Sequence, residues 1–466
     1  MPCKSGPGVS GTLSKGFPAN QSVIFQESVM KTLMRWMGAV VCVLALALCA
    51  SAQSSGVVPG LDKALANVSI RHVDRTVLGE DVVHYRFEVV VGPGKFDVIR
   101  LHRIVREKKP YLPIHTLGGV LLLPGGPNFF EAIFMAPLIS QVPAWDQSIV
   151  VFLAKNKVDV WGMDYSWALV PARQQNFKFM KSWGVERDAQ HAQIALSLAR
   201  AIRGATGQGS SRLEVLGFSY GGAVAYAVAG DETQRPRALR NVKGLIPADM
   251  PMKFQEQFVR DYYCTFQAVD EANLDAGIYS DDGGVFDTQL YDLAISAPDD
   301  PSPFFPGLTN YLAIEFVGTS TWLLNGSPIF WHFVAGYLDE NGIPSDLRYT
   351  DSRVWRDLFG HVPPHFPMQA DWDTDALFCG AADVPFDNHL QEIAVPILYV
   401  GAAGGFGTYG YYTTTLTAST DITKFTVQFQ PDDQRMSDFA HGDLFLAKDA
   451  DKLVWKPILD WIVAHK

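Results

Sequence analysis

Short continuous apolar runs dominate the middle of this chain, where a half-exposed sheet would show strict alternation. Residues 118–123, Gly-Gly-Val-Leu-Leu-Leu, form one such run, as expected of a strand covered on both faces. Residues 157–164, 213–218 and 242–246 read as further strands. Between them, 148–154 reads as part of a helix. Residues 186–203 carry Ala192, Ala195, Leu196, Ala199 and Ile202 at helical spacing, and Gly204 stops the pattern. Upstream, 84–91 and 97–105 are rich in β-branched and aromatic residues and are separated by the turn signal Gly92-Pro93-Gly94. Strands alternating with helices predict an α/β fold, a mostly parallel sheet flanked by helices, with its working edge at the carboxyl ends of the strands.

The alternation lapses over 250–392. That segment holds Phe304-Phe305, Trp322, Trp331, Phe333, Trp355 and Trp372 among scattered prolines and glycines, and reads as a mainly helical cap inserted after the strand at 242–246. An ordinary core helix would explain any one of these aromatic residues equally well. Strands resume at 395–400 and 424–430, and 453–463 reads as a closing helix whose first turn or kink is marked by Pro457. The chain therefore divides into 53–249 and 393–466 as two parts of one core, with 250–392 between them.

Residues 1–52 stand apart. Met30-Lys31-Thr32-Leu33-Met34-Arg35 is a basic start, 40–48 is almost wholly apolar, and Ala50-Ser51-Ala52 ends the stretch with small residues. This is the pattern of a secretory signal peptide, with Met30 as the expected start, cleavage expected after Ala52, and an expected destination outside the cytoplasm, in the periplasm or beyond; the plain alternative is an uncleaved N-terminal anchor. The apolar run is too short for a confident membrane span, and none is expected after processing.

Removing the leader leaves about 410 residues of mildly acidic, aromatic-rich composition. A net charge of −11 with no basic stripe argues against a nucleic-acid partner. Of the five cysteines only Cys264 and Cys379 follow the leader, either paired or as two buried thiols. No Cys/His grouping has metal-ligand spacing: His361 and His365 are four apart, but Pro363 and Pro364 break the helix that would align them. No cofactor is expected, and oligomeric state is not legible.

Chemistry concentrates where Leu213-Glu214-Val215-Leu216 runs into Gly217-Phe218-Ser219-Tyr220-Gly221-Gly222 and then an alanine-rich helix. A strand, a sharp turn and a helix bring two backbones together, so the flanking glycines avoid a collision and Ser219 is lifted above the sheet edge. The plain alternative is a capping serine. The run at 118–123 ends in Pro124-Gly125-Gly126-Pro127, a loop able to offer backbone N–H groups to a ligand. His441 follows the last strand and precedes the closing helix, where a base reaches the serine from above the sheet.

With these motifs, residues 84–249 and 395–466 resemble the α/β-hydrolase superfamily. The resemblance implies Ser219 as nucleophile, His441 as base, and an oxyanion hole from the N–H groups of Tyr220 and Gly126. One departure is plain. The commonest position for the acid, after the strand at 395–400, is occupied by Gly401-Ala402-Ala403-Gly404-Gly405-Phe406-Gly407, which has no carboxylate. Asp249, after the strand that follows the nucleophile, is the family's other location; Asp432 and Asp433 are the alternatives. Asp443 is too near His441 along the chain and is expected to cap a turn or pack beside the site. The resemblance implies an exported serine hydrolase acting on an apolar or lactone-like carboxylic ester. Gly-x-Ser-Tyr-Gly-Gly and the Gly-Gly-Pro loop are also similar to proline iminopeptidases and tripeptidyl aminopeptidases. Those need cap carboxylates for a free amine, for which Glu256, Asp261, Asp270 and Glu271 are the candidates. An idle binding protein on the same fold is the third reading.

Overall fold

The computed structural model describes residues 68–466, so the leader expected before Gln53 lies outside the described residues. The chain opens with β1 (Ser69–Gly79), β2 (Val82–Val90), β3 (Val98–Lys109) and the short β4 (Leu112–Pro113). Next come β5 (Gly118–Leu123), β6 (Val158–Asp164), β7 (Leu213–Phe218) and β8 (Val242–Ala248). A long segment carries the small strands β9 (Ser280–Asp281), β10 (Gly336–Leu338), β11 (Pro344–Leu347) and β12 (Phe366–Pro367). Finally β13 (Ile397–Ala402) and β14 (Ile422–Val427) return to the main sheet, whose order is β1-β2-β3-β6-β5-β7-β8-β13-β14 with β4 beside β3.

The sheet is antiparallel from β1 to β6 across β2 and β3, and parallel from β6 through β14. Every residue of β6, β7 and β13 is buried, the state that the unalternating apolar runs require. Helices Ile149–Lys155, Val185–Ala205, Tyr220–Thr233 and Lys456–Ala464 supply the cover. Ser148 caps the first of them by accepting from the Val151 N–H.

Three details differ from the sequence reading. β1 was not expected: its Arg71, His72, Asp74 and Arg75 break any apolar pattern, and it survives as an edge strand with mostly exposed or half-buried side chains. β14 runs 422–427, because Gln428 onward already turns toward the His441 loop. The closing helix begins at Lys456 with Pro457 in its first turn, after a wide π turn over Asp451–Trp455.

The segment between β8 and β13 is mainly helical, as the aromatic-rich stretch suggested. Its helices Gln257–Asp275 and Met368–Cys379 lie antiparallel. Cys264 is disulfide-bonded to Cys379, which decides between the two options left open by sequence. Further along the pair, the Asp270 and Asp375 carboxyls lie beside each other, and the Asn273 amide donates to Met368 Sδ at 3.9 Å. Burial pushes both carboxyls up, and for Asp375 the charge of Asp270 adds to it. Folded, the pair therefore holds a proton that unfolded carboxyls with pKa near ~4 would release. Its stabilising contribution is complete below that pH and is lost as pH rises through the raised values. The melting temperature of the wild type should fall more steeply between pH 5 and 8.5 than that of Asp375→Asn, which is near-isosteric but does not titrate. Equal slopes would remove this pair as the source.

Candidate active site

Ser219 sits where β7 turns into the helix Tyr220–Thr233, with φ +52° and ψ −130°, a conformation that L-residues adopt only under constraint. The flanking glycines are required by contact. A Cβ on Gly217 would overlap the Gly221 carbonyl, and one on Gly221 would overlap the Leu123 carbonyl at the end of β5. The loop after β5 lies against the serine: a Cβ on Gly125 would stand 2.7 Å from Ser219 Cβ. Gly126, one residue on, faces the Phe366 ring. Tyr220 is the first residue of its helix, so its N–H has no carbonyl to bond within that helix.

Phe218 pairs with Ala248 in the parallel ladder, so Ser219 and Asp249 emerge side by side from β7 and β8. Asp249 also has positive φ, +48°, and is fully buried. Its carboxylate accepts three backbone N–H groups: Ala402 at 2.9 Å, Phe406 at 3.0 Å and Gly407 at 2.8 Å. The fourth partner is His441, whose Nδ1 lies 2.7 Å from Asp249 Oδ2. A carboxylate already accepting three N–H groups is an acceptor here, so the imidazole proton belongs on Nδ1. Nε2 is then the bare nitrogen, buried and without a hydrogen-bond partner. The loop that lacks a carboxylate is therefore the cradle for one. Asp432 and Asp433 are exposed, in the turn Asp432–Ser437, and are not brought to His441.

The His441 loop is held by the segment between β8 and β13. His441 N donates to the His332 carbonyl at 3.2 Å and Gly442 N to that of Phe333 at 2.7 Å. Asp443, buried beside them, accepts from the N–H groups of Ala440 and Ala335 and from the Thr350 hydroxyl. Burial pushes its pKa up to about 7, against the pull of these donors. Rings of Phe218, Trp331, Phe406 and Phe333 surround the imidazole, with centroids 4.4, 5.0, 5.9 and 6.0 Å away. A cleft of about 510 Å³ beside Phe129, Phe96 and Arg100 is lined by neither Ser219 nor His441.

Two supports were missed in the sequence. Asp188 accepts from the Tyr220 hydroxyl at 2.8 Å and from Trp167 Nε1 at 2.9 Å, and burial raises its pKa to about 6. Its signal was a carboxylate on the apolar face of the helix Val185–Ala205, between Val185 and Ala189. Phe366 packs edge-on against Trp167 and Tyr220 and covers Gly126. Nothing in its local sequence marks it.

A strand-to-helix turn bearing Ser219 at the carboxyl end of a largely parallel sheet flanked by helices is the arrangement of the α/β-hydrolase fold, and the chain has that fold. No protein-family model and no curated protein sequence matches it. Among solved structures it is similar to a candidate lipase from Sulfolobus solfataricus, with 18% identity, a TM-score of 0.58, and coverage of 86% of this chain and 99% of the other. Weaker likenesses include a soluble variant of monoglyceride lipase from Saccharomyces cerevisiae (12% identity, TM-score 0.43, 80% and 94% covered). Another is a proline iminopeptidase from Mycobacterium smegmatis (12%, 0.37, 84% and 98%).

Because a Cβ on Gly405 would overlap Asp249 Oδ2, Gly405→Ala should displace the carboxylate from its donors. The expected cost is about 1–3 kcal/mol in urea unfolding. A variant as stable as the wild type would mean that the cradle is not rigid.

Proposed function

We propose that the protein is an exported serine hydrolase that cleaves a carboxylic ester through an acyl-enzyme on Ser219. The observation that carries this reading is the buried Asp249–His441 bond, which leaves Nε2 without a partner, together with Ser219 at the end of the strand that neighbours the one leading into Asp249. His441 Nε2 takes the proton of Ser219 as its oxygen attacks the acyl carbon, and Asp249 stabilises the imidazolium that results. The developing oxyanion meets the N–H groups of Tyr220 and Gly126, each such donor being worth about 3 kcal/mol of barrier. Proton return from His441 releases the alcohol, and water repeats the cycle on the acyl-enzyme.

The aromatic enclosure of His441 supports an apolar acyl group. Of the carboxylates considered for binding a free amine, Asp261 and Glu271 are exposed, Glu256 lines a separate cleft with Tyr409 and Arg435, and Asp270 lies beside Asp375. Export is supported by the leader-like start and by the Cys264–Cys379 disulfide, which persists in oxidising compartments.

The test is a paired panel of p-nitrophenyl acyl esters and aminoacyl-p-nitroanilides, with fluorophosphonate labelling alongside. Ester turnover is expected, falling by about 10⁴-fold or more in Ser219→Ala and by about 10³–10⁴-fold in Asp249→Asn. Anilide turnover that requires a free amine would move the protein to the peptidases. Neither turnover nor labelling in the wild type would leave a binding protein.

A further inference from the structure

On the antiparallel side of the sheet, away from the serine, His84, His102 and Glu131 bring their donor atoms within 4.8 Å of one another. The ladder between β2 and β3 sets His84 opposite Ile104 and Arg86 opposite His102, which makes the two histidines diagonal neighbours on one face. Their rings stack with centroids 5.2 Å apart, and His84 Nε2 lies 2.9 Å from His102 Nδ1. Both are almost fully buried, at 3% and 0% exposure. Glu131 comes from the helix Phe130–Phe134, just past the Gly126 loop. Its Oε1 is 3.9 Å from the Nδ1 atoms of both histidines.

Two independent features point to a ligand. Glu131 Oε1 is a buried oxygen with no hydrogen-bond partner, facing two imidazoles. On the far side of His102, Nε2 lies 3.2 Å from Asp164 Oδ2, a carboxylate that also accepts the Phe130 N–H at 2.7 Å and Arg100 at 3.1 Å. That bond fixes the proton on Nε2 and turns the Nδ1 lone pair toward His84 and Glu131, the orientation that outer carboxylates impose on metal-binding histidines.

We propose that His84, His102 and Glu131 form a binding site for a divalent transition metal of the zinc class, with its remaining position open to water. Two imidazoles and one carboxylate suit zinc, cobalt, nickel or copper better than calcium or magnesium. Tetrahedral zinc holds neighbouring donors about 3.3 Å apart, so closing donor atoms that lie within 4.8 Å of one another around one ion needs shifts of up to about 1.5 Å. The opposing charge is Arg86, whose Nη1 is 3.6 Å from Glu131 Oε1; it is 40% exposed and free to swing into solvent. A bound ion would tie β2, β3 and the helix Phe130–Phe134 together. The cluster escaped motif reading because strand pairing assembles it, whereas motifs require ligands close along the chain.

The test uses the untagged full chain, stripped with a chelator and titrated with Co²⁺ followed by visible absorption, then with Zn²⁺ followed by metal analysis and thermal melting. One ion per chain is expected, with the intense visible bands of low-coordinate cobalt and a raised melting temperature. Glu131→Gln should weaken binding by about tenfold or more. His84→Gln should abolish it, and Arg86→Gln should keep the stoichiometry and tighten it. No stoichiometric uptake would overturn the site and leave a hydrogen-bonded His–His–Asp relay. Uptake equal in wild type and Glu131→Gln would also overturn it, by assigning the ion to surface histidines. Circular dichroism checks the fold, and should His84→Gln not fold, the near-isosteric Glu131→Gln decides.

Discussion

A fully buried carboxylate survives only when its lone pairs are occupied, because removing an unpaired charge from water costs several kcal/mol. Asp249 meets that condition with three backbone N–H groups and one imidazole. The demand propagates outward. The loop after β13 must curl so that Ala402, Phe406 and Gly407 all point inward, which explains glycine at 405, where a Cβ would strike the carboxylate. The chain must turn sharply after β8, and Asp249 does so at positive φ. The last loop must then arrive with His441 Nδ1 at 2.7 Å. Three separate segments are thereby fixed by one carboxylate.

The segment between β8 and β13 belongs to this scaffold as much as the sheet does. The carbonyls of His332 and Phe333 receive the N–H groups of His441 and Gly442, and Asp443 bridges back to Ala335 and Thr350. From the core side, Gly404 N in the loop after β13 donates to the Phe439 carbonyl, so the histidine loop is held from both sides. Here the imidazole is enclosed by Trp331 and Phe333 from that segment and by Phe218 and Phe406 from the core. Low polarity around Nε2 strengthens any charge that develops there, since the field of Asp249 is screened less than in water.

What could be read from sequence was whatever is local. The run at 118–123 became β5 with the same bounds, and the Gly-x-Ser-x-Gly turn formed where its glycines required it. Asp249 could be named as a candidate only through the family resemblance, which offers the position after the strand following the nucleophile, with Asp432 and Asp433 still open; the cradle formed by the loop at 401–407 could not be read, since its donors lie more than 150 positions from Asp249. β1 was illegible for a different reason. An edge strand with little buried surface carries no apolar period to detect. Asp188 stood out locally as a carboxylate on an apolar helix face, but its role, like that of Phe366, comes from Tyr220, which no local pattern supplies.

The two strained residues carry the last step. Ser219 and Asp249 both have positive φ at the ends of hydrogen-bonded neighbours β7 and β8, and such residues cost on the order of 1–3 kcal/mol each. Strain of that kind persists only where the surroundings over-determine it. β7 is buried along its whole length and β8 everywhere but Lys243, and strands so enclosed do this better than loops can, because shifting either would expose an apolar run and break two ladders. The proposed acyl chemistry would therefore belong to the rigid sheet edge. Substrate choice would then fall to the side chains that the β8–β13 segment adds, Trp331, Phe333 and Phe366 foremost. They touch the candidate machinery without supplying any of its hydrogen bonds, so they can change while the nucleophile's geometry stays fixed.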